Sequence, residues 1–220
     1  MIGIRCMLRS IAASIALAAA ISAAGAARAA DLMAEWPTIQ MPPAPQLKPV
    51  TVDPKTTALL LFDFMTTNCG QRPRCVEAVP VLKALMDKAR AAKMLVAYTL
   101  PGNGPIIDPA LAPQKGEVVD QKQGGPDKFL GSDLDRRLKM HNIKTVILCG
   151  TSAQGVGIGT GAAAAQRGYQ VVYPVDCLPS ESAFREAYAT WHMAGGGPPV
   201  TTKFVTVTRS SMITFGSGGP

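Results

Sequence analysis

The chain has 220 residues, 47% of them hydrophobic and 17% charged, a composition that fits one globular domain and excludes a disordered chain. Its formal net charge is +7, but residues 1–29 contain three arginines and no acidic residue, so the rest of the chain carries +4. Lys and Arg never occur in runs longer than two, and aromatic residues make up only 5%, which argues against a nucleic-acid-binding protein.

The N-terminal segment has the pattern of a signal peptide. Arg5 and Arg9 precede an apolar stretch rich in small residues at 11–25, and Ala27-Arg28-Ala29 fits the A-x-A cleavage pattern. The stretch is short and Ala-rich compared with the roughly 20 apolar residues of a membrane span. We therefore predict a cleaved signal peptide at 1–29 and a mature protein that is periplasmic or secreted, with no membrane association after cleavage.

The rest of the chain alternates apolar runs with segments of helical periodicity. Residues 30–54 contain six prolines, which predicts an extended lead-in before a domain at 55–220. Alternation of this kind predicts an α/β fold with three layers: a mostly parallel sheet of about six strands with helices on both faces. The predicted strands are 57–64, 94–100, 117–121, 145–149, 169–175, 204–208 and 212–215, and the predicted helices are 76–93, 132–140, 155–167 and 180–193, the last with Ser180 as its N-cap.

One carboxylate stands out at the end of the first long strand. In a parallel sheet, ligands bind beyond the carboxyl ends of the strands, and Asp63 interrupts an apolar run at such an end. A carboxylate in this position needs a partner or a raised pKa. Lys122, in the long loop after the second strand, is a candidate partner, and an Asp–Lys pair in a cleft can perform acid–base chemistry. A structural ion pair, or bonds from backbone N–H groups to Asp63, are the alternatives, and spacing alone favours them.

A glycine-rich turn follows the third long strand at residues 150–160. Backbone N–H groups at the start of a helix can bind an anion. The segment 157–162 also fits G-x-G-x-x-A, and Asp176 ends the next strand, as in a dinucleotide-binding fingerprint. Its glycines lie several residues inside the helix, however, and this position favours close packing of the helix on the sheet.

The cysteines and histidines give little indication of a metal site. Cys69 and Cys75 flank a five-residue loop and are predicted to form a disulfide in an exported protein. Cys149 and Cys177 follow apolar runs and are predicted to be small apolar core residues. The two histidines are far apart in the sequence, so we predict neither a metal nor another cofactor.

Four segments together resemble the isochorismatase-like superfamily, which includes cysteine hydrolases and nicotinamidases. The resemblance covers residues 56–215 or so, and it implies a parallel α/β fold and a hydrolase that acts on a small molecule. Members often form dimers or larger assemblies, so a homo-oligomer is an alternative that the sequence leaves open. The segments are TTALLLFDFM, ARAAKMLVAYT, Lys122 with FLGSDLD, and HNIKTVILCGTSAQGVGIGTGAAAAQRGYQVVYPVD.

The resemblance also implies the catalytic residues, with one departure. It places the catalytic Asp at Asp63 and the catalytic Lys at Lys122, and it places the nucleophilic Cys six residues after Gly150, which is Val156. Thr160 matches a threonine of the family, which fixes this register. Because valine has no nucleophilic atom, covalent thiol catalysis at this position is excluded.

Three functions are compatible with a valine at the position of the implied nucleophile. Asp63 acts as a general acid that protonates a vinyl ether carbon while Lys122 binds a substrate carboxylate, as the resemblance to the isochorismatase branch implies. Alternatively, Asp63 acts as a base toward a bound water, or the chain binds a small molecule without catalysis. In each case backbone N–H groups near Ser152 and Val156 would hold an oxyanion or carboxylate. The resemblance also implies a cis peptide near Ser152, whereas the Asp and two His of the nicotinamidase metal site are absent because residues 101–113 contain no His.

Overall fold

The computed structural model describes residues 29–100, 105–120 and 125–216. The chain divides into two units, residues 1–41 and 42–220. In the first unit, the one-turn helix α1 (Leu32–Glu35) begins after Asp31, whose carboxylate accepts the backbone N–H of Met33 at 3.0 Å. The signal-peptide prediction falls almost entirely on residues 1–28, outside the described residues. None of the described helices is long and apolar enough to cross a membrane.

The second unit is built on a parallel sheet. Its strands are β1 (Val50–Val52), β2 (Thr57–Phe62), β3 (Leu95–Thr99), β4 (Val118–Asp120), β5 (Thr145–Gly150), β6 (Gln170–Pro174), β7 (Val205–Thr208) and β8 (Ile213–Phe215), and its helices are α2 (Pro73–Ala91), α3 (Leu134–Met140), α4 (Ile158–Gln166), α5 (Ala183–Trp191) and α6 (Pro199–Thr202). Six of the strands form the main sheet, in the order β4-β3-β2-β5-β6-β7. Every pair of neighbouring strands in it is parallel, which confirms the predicted fold class.

Apolar cores lie on both faces of this sheet. Along β2, Leu60 and Phe62 belong to one core, and Leu59 and Leu61 belong to the other, as expected when successive side chains point to opposite faces. Helices α3, α4 and α5 contribute to the first core, and α2 contributes to the second. This double coverage explains why the central strands are continuous apolar runs without polar alternation.

Part of the predicted lead-in belongs to the fold. Residues Val50–Val52 form β1, which pairs in parallel with β8 as a separate two-stranded sheet. Val52 is only 1% exposed, and Lys48 donates its backbone N–H to the carbonyl of Val207 at 3.0 Å. The proline spacing predicted an extended chain here, but it could not indicate a strand partner more than 150 residues away.

A glycine lets the ends of the two central strands meet closely. Gly150 ends β5 with φ +153°, and a Cβ on it would lie 2.4 Å from the Cβ of Phe62 at the end of β2. The next residue, Thr151, donates its backbone N–H to the carbonyl of Phe62 at 3.2 Å. The residues that follow β2 and β5 are therefore held side by side, and Asp63 is the first of them.

Candidate active site

A buried ion pair lies at the carboxyl ends of the central strands. Asp63, directly after β2, is 6% exposed, and Lys128 is fully buried. The Nζ atom of Lys128 lies 3.0 Å from each carboxylate oxygen of Asp63. Thr99, the last residue of β3, donates its hydroxyl to Asp63 Oδ1 at 3.4 Å. A fully buried lysine is rare without a paired acid, and Asp63 is the acid that pairs with Lys128 here.

Burial of the carboxyl group raises the pKa of Asp63 above its usual value near 3.8. The positive charge and hydrogen bond of Lys128, the hydroxyl of Thr99 and the charge of Arg72 all act in the opposite direction. Asp63 also has φ +59°, a left-handed conformation that few residues other than glycine adopt. Such strained positions are concentrated at functional sites.

Lys128 was not among the site residues predicted from the sequence. The predicted partner of Asp63, Lys122, lies outside the described residues, so its role stays a prediction. Lys128 is the lysine that the described structure brings to Asp63, and the sequence contained a weak signal for it. It directly precedes Phe129, an apolar residue that is buried, whereas Lys122 has only glutamine neighbours in the chain.

Helix α4 holds the segment that carries Lys128. The Thr160 hydroxyl donates to the carbonyl of Pro126 at 2.7 Å and accepts the backbone N–H of Lys128 at 3.1 Å. A Cβ on Gly159 would lie 2.8 Å from the Pro126 carbonyl oxygen, so only glycine allows this approach. The Phe129 ring then stacks on Tyr169 with a centroid distance of 6.0 Å. Together these contacts fix the position of the Lys128 amine.

The loop 151–156, which includes most of the π-helical turn Ala153–Gly157, follows β5 directly, and its first residue is bonded to Phe62, the residue before Asp63. Its Thr151–Ser152 peptide is cis, at the position that the family resemblance implied. Val156 is 4% exposed and belongs to the same apolar core as Phe62 and Phe129, the neighbours of Asp63 and Lys128 in the chain. The position at which the family resemblance implies the nucleophilic cysteine is therefore occupied by a packed apolar side chain.

Comparisons with known proteins agree with the fold and identify the family. An Isochorismatase domain model matches residues 57–204, more than half of the chain. The chain belongs to the isochorismatase family. An uncharacterized isochorismatase family protein of Bacillus subtilis is 33% identical over 162 residues, which cover 60% of this chain and 82% of the relative.

Solved structures show the same fold at lower identity. An isochorismatase family protein from Desulfovibrio vulgaris is 19% identical with a TM-score of 0.62, covering 71% of this chain and 95% of that one. A cysteine hydrolase from Pseudomonas syringae is 21% identical with a TM-score of 0.61, covering 78% and 95%. A nicotinamidase from Bacillus subtilis is 14% identical with a TM-score of 0.58, covering 64% and 96%.

The glycines of segment 157–162 allow close packing. A Cβ on Gly157 would lie 3.0 Å from the Tyr173 hydroxyl, and one on Gly161 would lie 2.6 Å from Met193 Cε. The carboxylate of Asp176 accepts the backbone N–H of Ser210 at 2.9 Å and its hydroxyl at 2.7 Å. Both parts of the dinucleotide-binding pattern thus have structural roles, which supports the packing interpretation.

Ser180 has a different role from the one predicted. Helix α5 begins at Ala183, and Ser182 is its N-cap. The Ser180 hydroxyl instead accepts the backbone N–H of Ala153 at 3.1 Å and donates to the side-chain oxygen of Gln154. Ser180 therefore anchors the loop 151–156. These contacts form because Ala153 follows β5, Ser180 follows β6, and the two strands are neighbours in the sheet. An oxyanion role for the backbone amides of Ser152 and Val156 stays a prediction.

Two disulfides flank the site. The predicted Cys69–Cys75 bond is present, with a Cα–Cα distance of 5.3 Å. The prediction that Cys149 and Cys177 are unbonded core residues was wrong, because they also form a disulfide. Cys149 lies near the end of β5 and Cys177 just after β6, and these neighbouring parallel strands bring the two Cα atoms within 4.8 Å. Among residues 29–100, 105–120 and 125–216, no cluster of three or more His, Cys, Asp or Glu side chains forms a group that could hold a metal ion.

Proposed function

We propose that this protein is a small-molecule hydrolase that works without a cysteine nucleophile, with Asp63 as the proton-transferring group and Lys128 as its partner. The observation that carries the proposal is the buried Asp63–Lys128 pair at the carboxyl ends of β2 and β3. Ligands of open parallel sheets bind at this edge. A carboxyl group whose pKa is raised by burial is suited to acid–base catalysis near neutral pH.

The cysteines support a mechanism without a thiol. Val156 occupies the position at which the family resemblance implies the nucleophile. The four cysteines of the described residues are all joined in disulfides, so none of them provides a thiolate. The proton-transferring groups that the described structure offers at this site are the carboxyl group of Asp63 and the amine of Lys128.

The raised pKa of Asp63 favours the general-acid alternative. The protonated carboxyl group donates its proton to a substrate atom, for example the terminal carbon of a vinyl ether, and a new C–H bond forms. A water molecule adds to the resulting cation and gives one proton back to the Asp63 carboxylate, which leaves a hemiketal. The C–O bond of the hemiketal then breaks as its hydroxyl proton passes to the leaving oxygen, which gives a ketone and an alcohol. The Lys128 ammonium stabilises the Asp63 carboxylate until a proton returns to it. A role for Lys122 in binding a substrate carboxylate stays part of the proposal.

The disulfides also bear on where the protein acts. Bonds of this kind persist in oxidising compartments and are rare in the cytosol. Together with the signal-peptide pattern at 1–29, they support a periplasmic or secreted protein that meets its small-molecule substrate outside the cytoplasm.

The pH dependence of turnover distinguishes a general acid from a general base. A panel of small-molecule vinyl ethers, amides and esters is first screened with the protein to find a substrate. If Asp63 is the acid, turnover falls as the pH rises through the pKa of Asp63, because the donor loses its proton; if it is the base, turnover rises there. Since no described thiol is free, iodoacetamide leaves the rate unchanged. Inactivation by iodoacetamide would contradict the mechanism, and ligand binding without turnover across the panel would favour a non-catalytic binder.

A further inference from the structure

Arg72 connects several segments around the active site. It lies inside the loop that the Cys69–Cys75 disulfide closes, one residue before α2. Its Nε atom donates to Glu181 Oε1 at 2.7 Å, and its Nη1 atom donates to Thr151 Oγ1 at 3.3 Å and to the Asn68 side-chain oxygen. The side chain is 23% exposed, so this guanidinium is largely enclosed by protein.

The two segments that Arg72 reaches are also bonded to each other. Thr151 follows β5 by one residue, and Glu181 lies four residues after Cys177, the partner of Cys149. The Gln154 side-chain amide donates to Glu181 Oε2 at 3.1 Å. One carboxylate thus binds both Arg72 and the loop that carries Val156.

The backbone also brings Arg72 to the residues that follow Asp63. The carbonyl of Met65 accepts the backbone N–H groups of Cys69 at 2.7 Å and Asn68 at 3.0 Å. The turn after Asp63 therefore leads directly into the disulfide-closed loop, and Arg72 bridges from this loop to Thr151. A planar guanidinium with several donors in a fixed geometry is suited to such a junction, whereas an ammonium group is not.

We propose that Arg72 is a positioning residue of the active site, which holds Thr151 and Glu181 against the turn after Asp63 so that the loop 151–156 and the Asp63 carboxyl group keep one relative arrangement. This inference adds a positioning residue to the proposed function, and it rests on that proposal for the identification of the active site. Arg72 acts through its neighbours, and no contact with substrate is required of it.

The neighbouring Arg74 provides a matched control. Arg74 lies two residues later and also forms an ion pair, in which its Nε atom donates to Glu186 Oε1 at 2.8 Å. No described contact joins Arg74 to Thr151 or Asp63. A purely structural role for Arg72, as one more ion pair between α2 and the start of α5, predicts the same consequences for Arg72→Gln and Arg74→Gln.

The test uses NMR on the folded protein and needs no substrate. Titration of the Asp63 carboxyl carbon reports its pKa, and backbone amide shifts report the loop 151–156. We expect Arg72→Gln to raise the pKa of Asp63, because a nearby positive charge that favours the carboxylate is lost, and to shift the amide resonances of Thr151 and Gln154. Arg72→Lys keeps the charge but not the geometry, so it shifts the amides and leaves the pKa close to that of the wild type. Arg74→Gln changes neither the pKa of Asp63 nor the amide resonance of Thr151. Glu186 also accepts the backbone N–H of Ser180 at 2.8 Å, and Ser180 binds Ala153 and Gln154, so the comparison between the two variants uses the Asp63 pKa and the Thr151 amide only.

The outcomes separate this inference from the proposed function. If Arg72→Gln matches Arg74→Gln in both measurements, Arg72 forms only a structural ion pair and the inference is overturned. If Arg72→Gln does not fold, Arg72→Lys provides the test. Amide resonances of Thr151 and Gln154 that are unchanged in Arg72→Lys would also overturn the inference. A lack of turnover on every substrate would count against the proposed function but would leave both NMR measurements interpretable.

Discussion

Replacing Lys128 with methionine lowers the free energy of unfolding by about 3–5 kcal/mol at neutral pH, the range for breaking a buried ion pair by removing one partner. The methylene stem of lysine is replaced by a side chain of similar length, so the main loss is the charge that faces Asp63. Lys83→Met is the control, because Lys83 forms an exposed pair with Asp87 at 2.6 Å and such surface pairs contribute about 0–1 kcal/mol. Urea unfolding of the two variants gives the comparison.

The pH dependence of the stability of Lys128→Met tests whether the unpaired Asp63 carboxylate causes this loss. Without Lys128, burial raises the pKa of Asp63 further, so the folded state holds a proton that the unfolded chain releases near pH 3.8. Stability therefore falls as the pH rises above about 4, and the loss is largest at neutral pH. Adding Asp63→Asn to Lys128→Met restores part of the stability, since the unpaired carboxylate is gone. A Lys128→Met variant as stable as Lys83→Met at neutral pH would show that the pair is not buried.

Removing the Cys149–Cys177 disulfide has the second large expected effect on stability. The bridge closes a loop of 28 residues, and the chain-entropy model assigns it about 3.6 kcal/mol, or about 10 °C in Tm for a domain of this size. The Cys69–Cys75 bridge spans only six residues, so the same model assigns it about 2.2 kcal/mol. The measurement is thermal unfolding of Cys149→Ala/Cys177→Ala and Cys69→Ala/Cys75→Ala, followed by circular dichroism.

A thiol count on the wild-type protein controls this experiment. Protein purified from an oxidising compartment and unfolded in denaturant should give no reaction with a thiol reagent at these four positions. Four reactive thiols, or a Cys149→Ala/Cys177→Ala variant with an unchanged Tm, would contradict the assigned bridges and would reopen the question of a free thiol in the protein.

Much of the fold could be predicted from the sequence because the central strands are buried on both faces. A run such as Thr57–Phe62 has no polar alternation, and that pattern is typical of a strand covered by helices on both sides. The short strand Val118–Asp120 was also predicted, inside a loop too long to be structureless. The pairing of β1 with β8 was not predicted, because nothing local in Val50–Val52 indicates its distant partner.

The candidate site could be predicted only where it depends on strand ends. Asp63 follows an apolar strand directly, so the rule for ligand sites in parallel sheets selects it. Lys128 depends on the packing of Pro126 on Gly159 and on the Thr160 hydroxyl, contacts between segments about 30 residues apart in the chain. The Cys149–Cys177 bond likewise requires knowledge that β5 and β6 are neighbours.

Turnover by Asp63→Asn tests the central claim most directly, with Asp176→Asn as the control. Asparagine keeps the size of the side chain but cannot donate or accept the catalytic proton, and Asp176 is a second carboxylate beyond a strand end that is bound by Ser210. On a substrate found in the screen, we predict that Asp63→Asn lowers kcat by about 100- to 10,000-fold, whereas Asp176→Asn keeps kcat within about threefold of the wild type. An Asp63→Asn variant that turns over substrate as fast as Asp176→Asn would contradict a catalytic role for the Asp63–Lys128 pair.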